Sequence, residues 1–281
     1  MDNDALTSAA MILSSNSGIF MESLSERQKH ILNIAKKKGR VIVDQLATFF
    51  DVSPQTIRKD LNELCNKQLL QRIHGGAIVG SSIENVSYEA RKLLAPESKR
   101  AIGIRAAQLV PNNCSLFINI GTTTEQVARE LTSHRGLMAI TNNIKAIDIL
   151  RSSPGIELII AGGLVRRSDG GIVGVAAVDF INQFKVDYAI IGVSGIDEEG
   201  LLLDYDLSEV RVAQAIIANS RHVIMVADMM KLNRNAPVRI GHISQIDTLV
   251  IDGMPSAGFC KLCRENDVVI EVADPKQVLL R

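Results

Sequence analysis

The sequence is short of net charge, of long apolar runs and of cysteine, and each shortage excludes a class. Its 31 Lys and Arg balance 31 Asp and Glu over 281 residues, so no global field draws the chain to nucleic acid or to an anionic membrane. No segment approaches the ~18 apolar residues of a membrane-spanning helix, because Gly, Asp or Asn interrupts the most apolar stretches. Cys65 and Cys114 stand far apart, and Cys260 with Cys263 forms a single C-x2-C with no second pair. Structural zinc takes four ligands, so reduced thiols, no metal and no cofactor are expected. The opening Met-Asp-Asn-Asp supplies no basic region before the short apolar patch Ala9 to Leu13, unlike a secretory signal. The expectation is a cytoplasmic protein with a disordered leader over 1–21, in which Met21 offers an alternative translation start.

What is present is ordinary globular material, 46% apolar and 22% charged, long enough for two domains of the usual ~100–200 residues. The charge is unevenly spread. Residues 22–78 hold ten Lys and Arg against six Asp and Glu, the local excess expected of a polyanion site.

Within that basic segment, Ser25 and Gln28 have the spacing of a capping box. A helix starting there carries Ile31, Ile34 and Ala35 on one face and ends at Lys36, Lys37, Lys38 and Gly39. A second short helix is predicted over 44–50, from Leu46, Ala47 and Phe50, and Asp51-Val52 turns the chain. Ser53 can cap a third helix with Pro54 in its first turn, and Ile57, Leu61 and Leu64 form its buried stripe. The opposite face presents Gln55, Thr56, Arg58, Lys59 and Asn62. Two short helices with a tight connection suit the major groove, where Arg and Lys contact guanine or phosphate and Gln contacts adenine. The same periodicity also describes a solvated helix in a small bundle. After it, Leu69 to Ile78 reads as two short strands around the Gly75-Gly76 pair, a hairpin with Arg72 and His74.

Residues 80–96 are polar and broken, and read as a linker to a helix over 97–110. Strands are predicted near 115–120, 137–140, 156–161, 187–193, 222–227, 247–251 and 268–272. Helices are predicted near 124–132, 143–152, 174–184, 207–220 and 256–265. Strands apolar on both faces between helices give an α/β class with a mostly parallel sheet over 97–281. Such sheets bind ligands beyond the carboxyl ends of their strands. There Gly121, Thr122, Thr123 and Thr124 open a helix, where free amides and the dipole favour an anion such as phosphate. Asn142, Gly162 and Gly163 occupy two further junctions. Together with Asp204, Glu209 and the Asp228/Lys231 pair they can line one polar site, Lys231 facing phosphate and an acid accepting from hydroxyls. Plain capping by one Thr, an Asp206/Glu209 capping pair and a solvated Lys231 are the alternatives.

Ser53-Pro-Gln-Thr-Ile-Arg-Lys-Asp-Leu61, with Arg27 and Ile31 upstream and Arg72-x-His-Gly-Gly-Ala77 downstream, resembles the DeoR family of bacterial repressors. The resemblance covers about residues 24–253 and continues through Leu116 to Thr124, Ala161-Gly-Gly163, Asp169-Gly-Gly-Ile172, Asp179-Phe-Ile181, Ser194-Gly-Ile-Asp197, Glu209-Val-Arg211 and Arg234-Asn-Ala236. It departs at Asp228-Met-Met-Lys231, where similar repressors carry an Asp-His-Ser-Lys-like segment.

The resemblance implies a winged helix-turn-helix over 22–79, with Gln55, Thr56, Arg58, Lys59 and Asn62 in or beside the major groove and Arg72 and His74 on the wing. It makes Asp60 an internal partner of a basic group. It implies a C-terminal sensor domain with the fold of sugar-phosphate isomerases, in which the Gly-Thr-Thr loop falls on Gly121, Thr122 and Thr123. The implied partners are double-stranded operator DNA, a phosphorylated polyol or sugar effector with glycerol 3-phosphate favoured, and further copies of the chain in a homodimer or homotetramer. A repressor sensing another sugar phosphate and a DNA-tethered sugar-phosphate isomerase are the competing readings.

Overall fold

The computed structural model describes residues 24–38, 40–66, 69–73, 75–78 and 88–274. The chain divides into two compact units, Met1–Ser81 and Ser82–Arg281. In the first, α1 (Glu26–Lys38), β1 (Arg40–Ile42), α2 (Val43–Phe50) and α3 (Pro54–Asn66) precede the strands β2 (Gln71–Ile73) and β3 (Gly76–Ile78). The capping box forms: Gln28 N–H donates to Ser25 Oγ at 3.2 Å, and Ser25 N–H to Gln28 Oε1 at 3.0 Å. Asp51, in the left-handed region at φ 51°, stops α2, and Ser53 Oγ accepts from Thr56 N–H at 3.2 Å to start α3. Ile31, Ala35, Leu46, Ile57, Leu61 and Leu64 close a shared core, as their spacing requires.

β1, absent from the sequence prediction, joins the expected hairpin in an antiparallel sheet of order β1-β3-β2. The central strand must pass close to β1, and Gly76 permits it. A Cβ there would lie 2.0 Å from the Val41 carbonyl oxygen.

The second unit opens with α4 (Tyr88–Leu93) and α5 (Pro96–Gln108). The stretch expected as a linker over 80–96 therefore contains a helix, anchored by the buried Tyr88. Then come β4 (Ser115–Ile118), α6 (Thr122–Leu131), β5 (Leu137–Thr141), α7 (Ile144–Leu150), β6 (Ile156–Ile160), β7 (Leu164–Val165), β8 (Ile172–Val173), α8 (Val175–Ile181) and β9 (Val186–Gly192). The chain continues through β10 (Gly195–Ile196), β11 (Leu201–Asp204), α9 (Leu207–Ala218), β12 (Ser220–Ala227), β13 (Val238–His242), β14 (Thr248–Ile251), α10 (Ala257–Glu265) and β15 (Val269–Val272). All seven predicted strands join one parallel sheet of order β15-β14-β12-β9-β4-β5-β6.

Alternation along the strands feeds two cores. Leu116, Ile118, Ile190, Ile224 and Val226 pack on one side with Ile102, Val127 and Leu131, from α5 and α6. Phe117, Ala189, Ile191, Val223 and Met225 face the other way, towards Ile181, Val212, Ile216 and Phe259, from α8, α9 and α10. Sequence patterning did not indicate the small antiparallel sheets β10-β11-β13 and β7-β8, whose strands are too short to show a period. From β4 the chain moves through β5 to β6, then returns to β9 on the other side of β4. The switch point, where open α/β sheets leave a crevice, lies between β4 and β9.

Candidate functional site: a polar helix face and a cationic cavity

In the first unit, the buried stripe of α3 turns its polar residues outward. Gln55, Arg58, Lys59 and Asn62 are exposed, Thr56 is partly so, and a shallow concavity runs past all five. The acids on this helix are engaged from α1, Asp60 by a cation and Glu63 by a side-chain amide. Arg27 Nε donates to Asp60 Oδ2 at 2.6 Å and Gln28 Nε2 to Glu63 Oε2 at 2.6 Å. The Asp60 carboxylate in turn raises the pKa of Arg27. Asp60 is thus the internal partner expected of it, and cations dominate the outer face. Of the two wing residues, Arg72 lies on β2, but its side chain and His74 fall outside the described residues.

In the second unit, a cavity of about 570 Å³, open mouth included, lies at the switch point. Its floor is Ile120 to Thr124 after β4, Gly192 and Val193 at the end of β9, and Asp228, Met230 and Lys231 after β12. Gly121 caps α6 at φ +152° with no side chain to offer, so the first-turn amides stay free. Thr124 does not line the cavity as a free donor: its hydroxyl is taken by the carbonyls of Asn119 and Gly121, at 2.7 and 2.8 Å. The Thr122 and Thr123 hydroxyls make no hydrogen bond to a described residue, and both residues are buried.

Four cations, Arg91, Lys99, Lys231 and Arg234, and three carboxylates, Asp204, Glu209 and Asp228, complete the walls. Asp204 is held by Ser194 Oγ at 2.9 Å and by the Tyr205 amide at 2.6 Å. Asp206 caps α9 through the Ser208 and Glu209 amides. The Glu209 side chain instead makes a short contact with Arg166 Nη2. Burial, then the Asp204 charge, pushes the Glu209 carboxyl up, against the pull of Arg166. Burial and the neighbouring Arg234 push the Lys231 ammonium down to about 7, which Asp228 only partly offsets. A cluster that holds a cation at this cost favours an anion beside it.

The DeoR C terminal sensor domain matches residues 94–253 of the chain, and the DeoR-like helix-turn-helix domain matches residues 27–83. The chain belongs to the DeoR family. The glycerol-3-phosphate regulon repressor of Escherichia coli (strain K12) is 42% identical over 88% of this chain and 98% of its own length. The repressor of the same name from Haemophilus influenzae is 45% identical over 90% of this chain and 98% of its own. Ribose 5-phosphate isomerase from Plasmodium falciparum overlaps loosely, at 18% identity and a TM-score of 0.35 over 48% of this chain and 52% of that one.

Of the sensor-domain residues singled out in the sequence, Gly121 to Thr124, Asp204, Glu209 and Lys231 meet around the cavity. Three do not. Asn142 is buried beside it in sequence only, its Nδ2 donating to the Ile172 carbonyl at 3.1 Å. Gly162 and Gly163 lie away from the lining, and Gly163 packs against the Val173 carbonyl, where a Cβ would approach to 2.9 Å. Gly163, just before β7, lets the chain pass close to β8. Sequence reasoning missed Arg91, Lys99 and Arg234 as lining residues. Arg91 and Lys99 stand outside the strand-to-helix junctions where ligands were sought, and Arg234 was noted only within the family pattern.

Proposed function

We propose that this DeoR-family chain represses genes of glycerol 3-phosphate use and leaves its operator when glycerol 3-phosphate fills the cavity. The carrying observation is the cavity itself: free amides and two unengaged threonine hydroxyls at the start of α6, ringed by four cations and three carboxylates. The amides, hydroxyls and Lys231 suit a phosphate dianion, since charge-assisted hydrogen bonds are the strong ones. Asp204 and Asp228 suit polyol hydroxyls, and Leu94, Ile120, Val193 and Met230 leave an apolar wall for a short carbon chain. The two relatives named as glycerol-3-phosphate regulon repressors, aligned over nearly their whole length, support this choice of effector.

Operator contact falls to α3, through Gln55, Thr56, Arg58, Lys59 and Asn62, with Arg72 and His74 on the wing. Helix-turn-helix proteins reach two half-sites about 34 Å apart, so the working form is a homodimer or homotetramer on palindromic DNA in the cytoplasm, and it turns over no substrate. Effector and operator weaken each other by the same factor, typically ~5–150-fold. The test is fluorescence anisotropy of full-length protein on a glycerol-catabolism promoter fragment at fixed salt, which sets the phosphate-contact affinity. Glycerol 3-phosphate should release the DNA, and glycerol and fructose 6-phosphate should not. Release by fructose 6-phosphate alone would keep the repressor and replace the effector; no sequence-specific binding would overturn both.

A further inference from the structure

We propose that Arg91 is the residue that converts effector occupancy into operator release, by exchanging its hold on Asp169 for a hold on the bound phosphate. This rests on the effector reading above and adds how the site acts on the rest of the chain. Arg91 lines the cavity and lies on α4, the first described element after the wing strand β3. It is therefore on the stretch of the sensor unit that leads back, along the chain, to the DNA-binding unit.

The Arg91 contact with Asp169 is built to be given up. Its Nη2 reaches Asp169 Oδ2 at 3.3 Å, across 78 residues of sequence. Asp169 is already satisfied without it: Arg166 grips both its oxygens, at 2.9 and 2.6 Å, and the Gly171 amide adds a third contact at 3.2 Å. Burial opposes ionisation of Asp169, but Arg166 outweighs it and holds the carboxyl below its usual range. Releasing Arg91 thus leaves the Asp169 carboxylate hydrogen-bonded to Arg166 and Gly171, although Arg166 also serves Asp206 and Glu209. Asp169 keeps a partner and is not stranded as a bare buried charge. Arg91 meanwhile has a donor to spare, since its Nε is buried with no hydrogen-bond partner among the described residues. A phosphate at the Gly121–Thr124 loop offers that fork the bidentate acceptor a single carboxylate oxygen does not.

The helix that would move with Arg91 is tied to the same loop. The Tyr88 hydroxyl donates to both Glu125 oxygens, at 2.9 and 2.8 Å, and Glu125 sits in the first turn of α6 beside the threonines. Lys99, another lining residue, donates to the Arg91 carbonyl. An anion in the cavity therefore acts on α4 at three points: the Arg91 side chain, the Arg91 carbonyl through Lys99, and Tyr88 through α6.

The experiment compares wild type, Arg91→Gln and Tyr88→Phe as full-length proteins. Calorimetry with glycerol 3-phosphate measures the effector Kd, and anisotropy measures operator Kd without effector and at saturation. The readout is the ratio of the two operator constants, from which any change in basal DNA affinity cancels. Wild type should show a ratio in the typical ~5–150 range. Arg91→Gln should bind effector more weakly and, once saturated, show a ratio near one. Tyr88→Phe, which keeps the cavity lining, should retain effector affinity and lose part of the ratio. If both variants keep the wild-type ratio at saturation, Arg91 is at most a ligand contact and the coupling role is wrong. If wild type itself shows a ratio of one, the effector reading fails, and this inference with it.

Discussion

Replacing Lys231 with Met should make the sensor unit more stable and worse at binding, and both effects can be sized. The Lys231 pKa falls from 10.5 to about 7, chiefly by burial and then by Arg234. Each tenfold change in proton affinity is worth about 1.4 kcal/mol, so the charged form is disfavoured by several kcal/mol. The side chain keeps some contact with solvent, and we expect Lys231→Met to recover about 1–2 kcal/mol, or about 2–8 °C in Tm for a unit of this size. The sign follows from linkage. Between pH 7 and 10.5 the unfolded chain holds the Lys231 proton and the folded chain has lost it, so wild-type stability rises with pH across that window. Lys231→Met should lack this rise, and its advantage should therefore shrink by pH 10. Binding moves the other way. A charge-assisted hydrogen bond contributes about 1.5–3 kcal/mol, so the Kd for glycerol 3-phosphate should rise about 10- to 150-fold. Thermal melts at pH 7 and 10 with calorimetric titrations at pH 7 test both halves. An unchanged Kd refutes Lys231 as a phosphate ligand, and a lowered Tm at pH 7 refutes the picture of a cation held at a cost.

Three other perturbations address separate parts of the molecule. Arg58→Ala, on the exposed face of α3, should cost about 1–3 kcal/mol of operator affinity and relax the sequence preference at one base pair; wild-type operator affinity with the sequence preference intact would remove it from the interface. Thr122→Val keeps shape and deletes a cavity donor, so effector Kd should rise about tenfold while operator binding without effector stays as in wild type; normal release at low effector would exclude this hydroxyl. Gly76→Ala places a methyl 2.0 Å from the Val41 carbonyl and should cost about 3 kcal/mol or more, seen as a lower Tm and lost operator binding; an unaltered melt would show that the β1-β3 contact can open.

Much of the framework was legible because it is local. The capping box at Ser25 and Gln28, the Pro54 start of α3 and the apolar stripe of Ile57, Leu61 and Leu64 are set by residues three and four apart, the distance over which a helix repeats. The seven sheet strands were legible because burial on both faces makes each a nearly continuous apolar run. The threonine loop after β4 was visible for the same reason: a Gly and three hydroxyls following a strand mark the helix start. β1 was missed because three residues between two helices carry no period, and α4 because its helix is short and its one anchor, Tyr88, finds Glu125 only in the fold.

The charges of the cavity divide along the same line. The sequence alone determined that this chain carries a DeoR-type helix-turn-helix and a parallel α/β unit, and it marked the glycine and three threonines after β4 as a helix start. Only the tertiary structure decided which charges face it. Arg166 gathers Asp169, Asp206 and Glu209, Arg91 reaches Asp169, and Asn142 and Gly163 pack against the backbone of β8 instead. An ion pair reads as two unrelated charges in a sequence, since Coulomb attraction depends on distance in space, and that distance is set by the order in which the strands lie in the sheet.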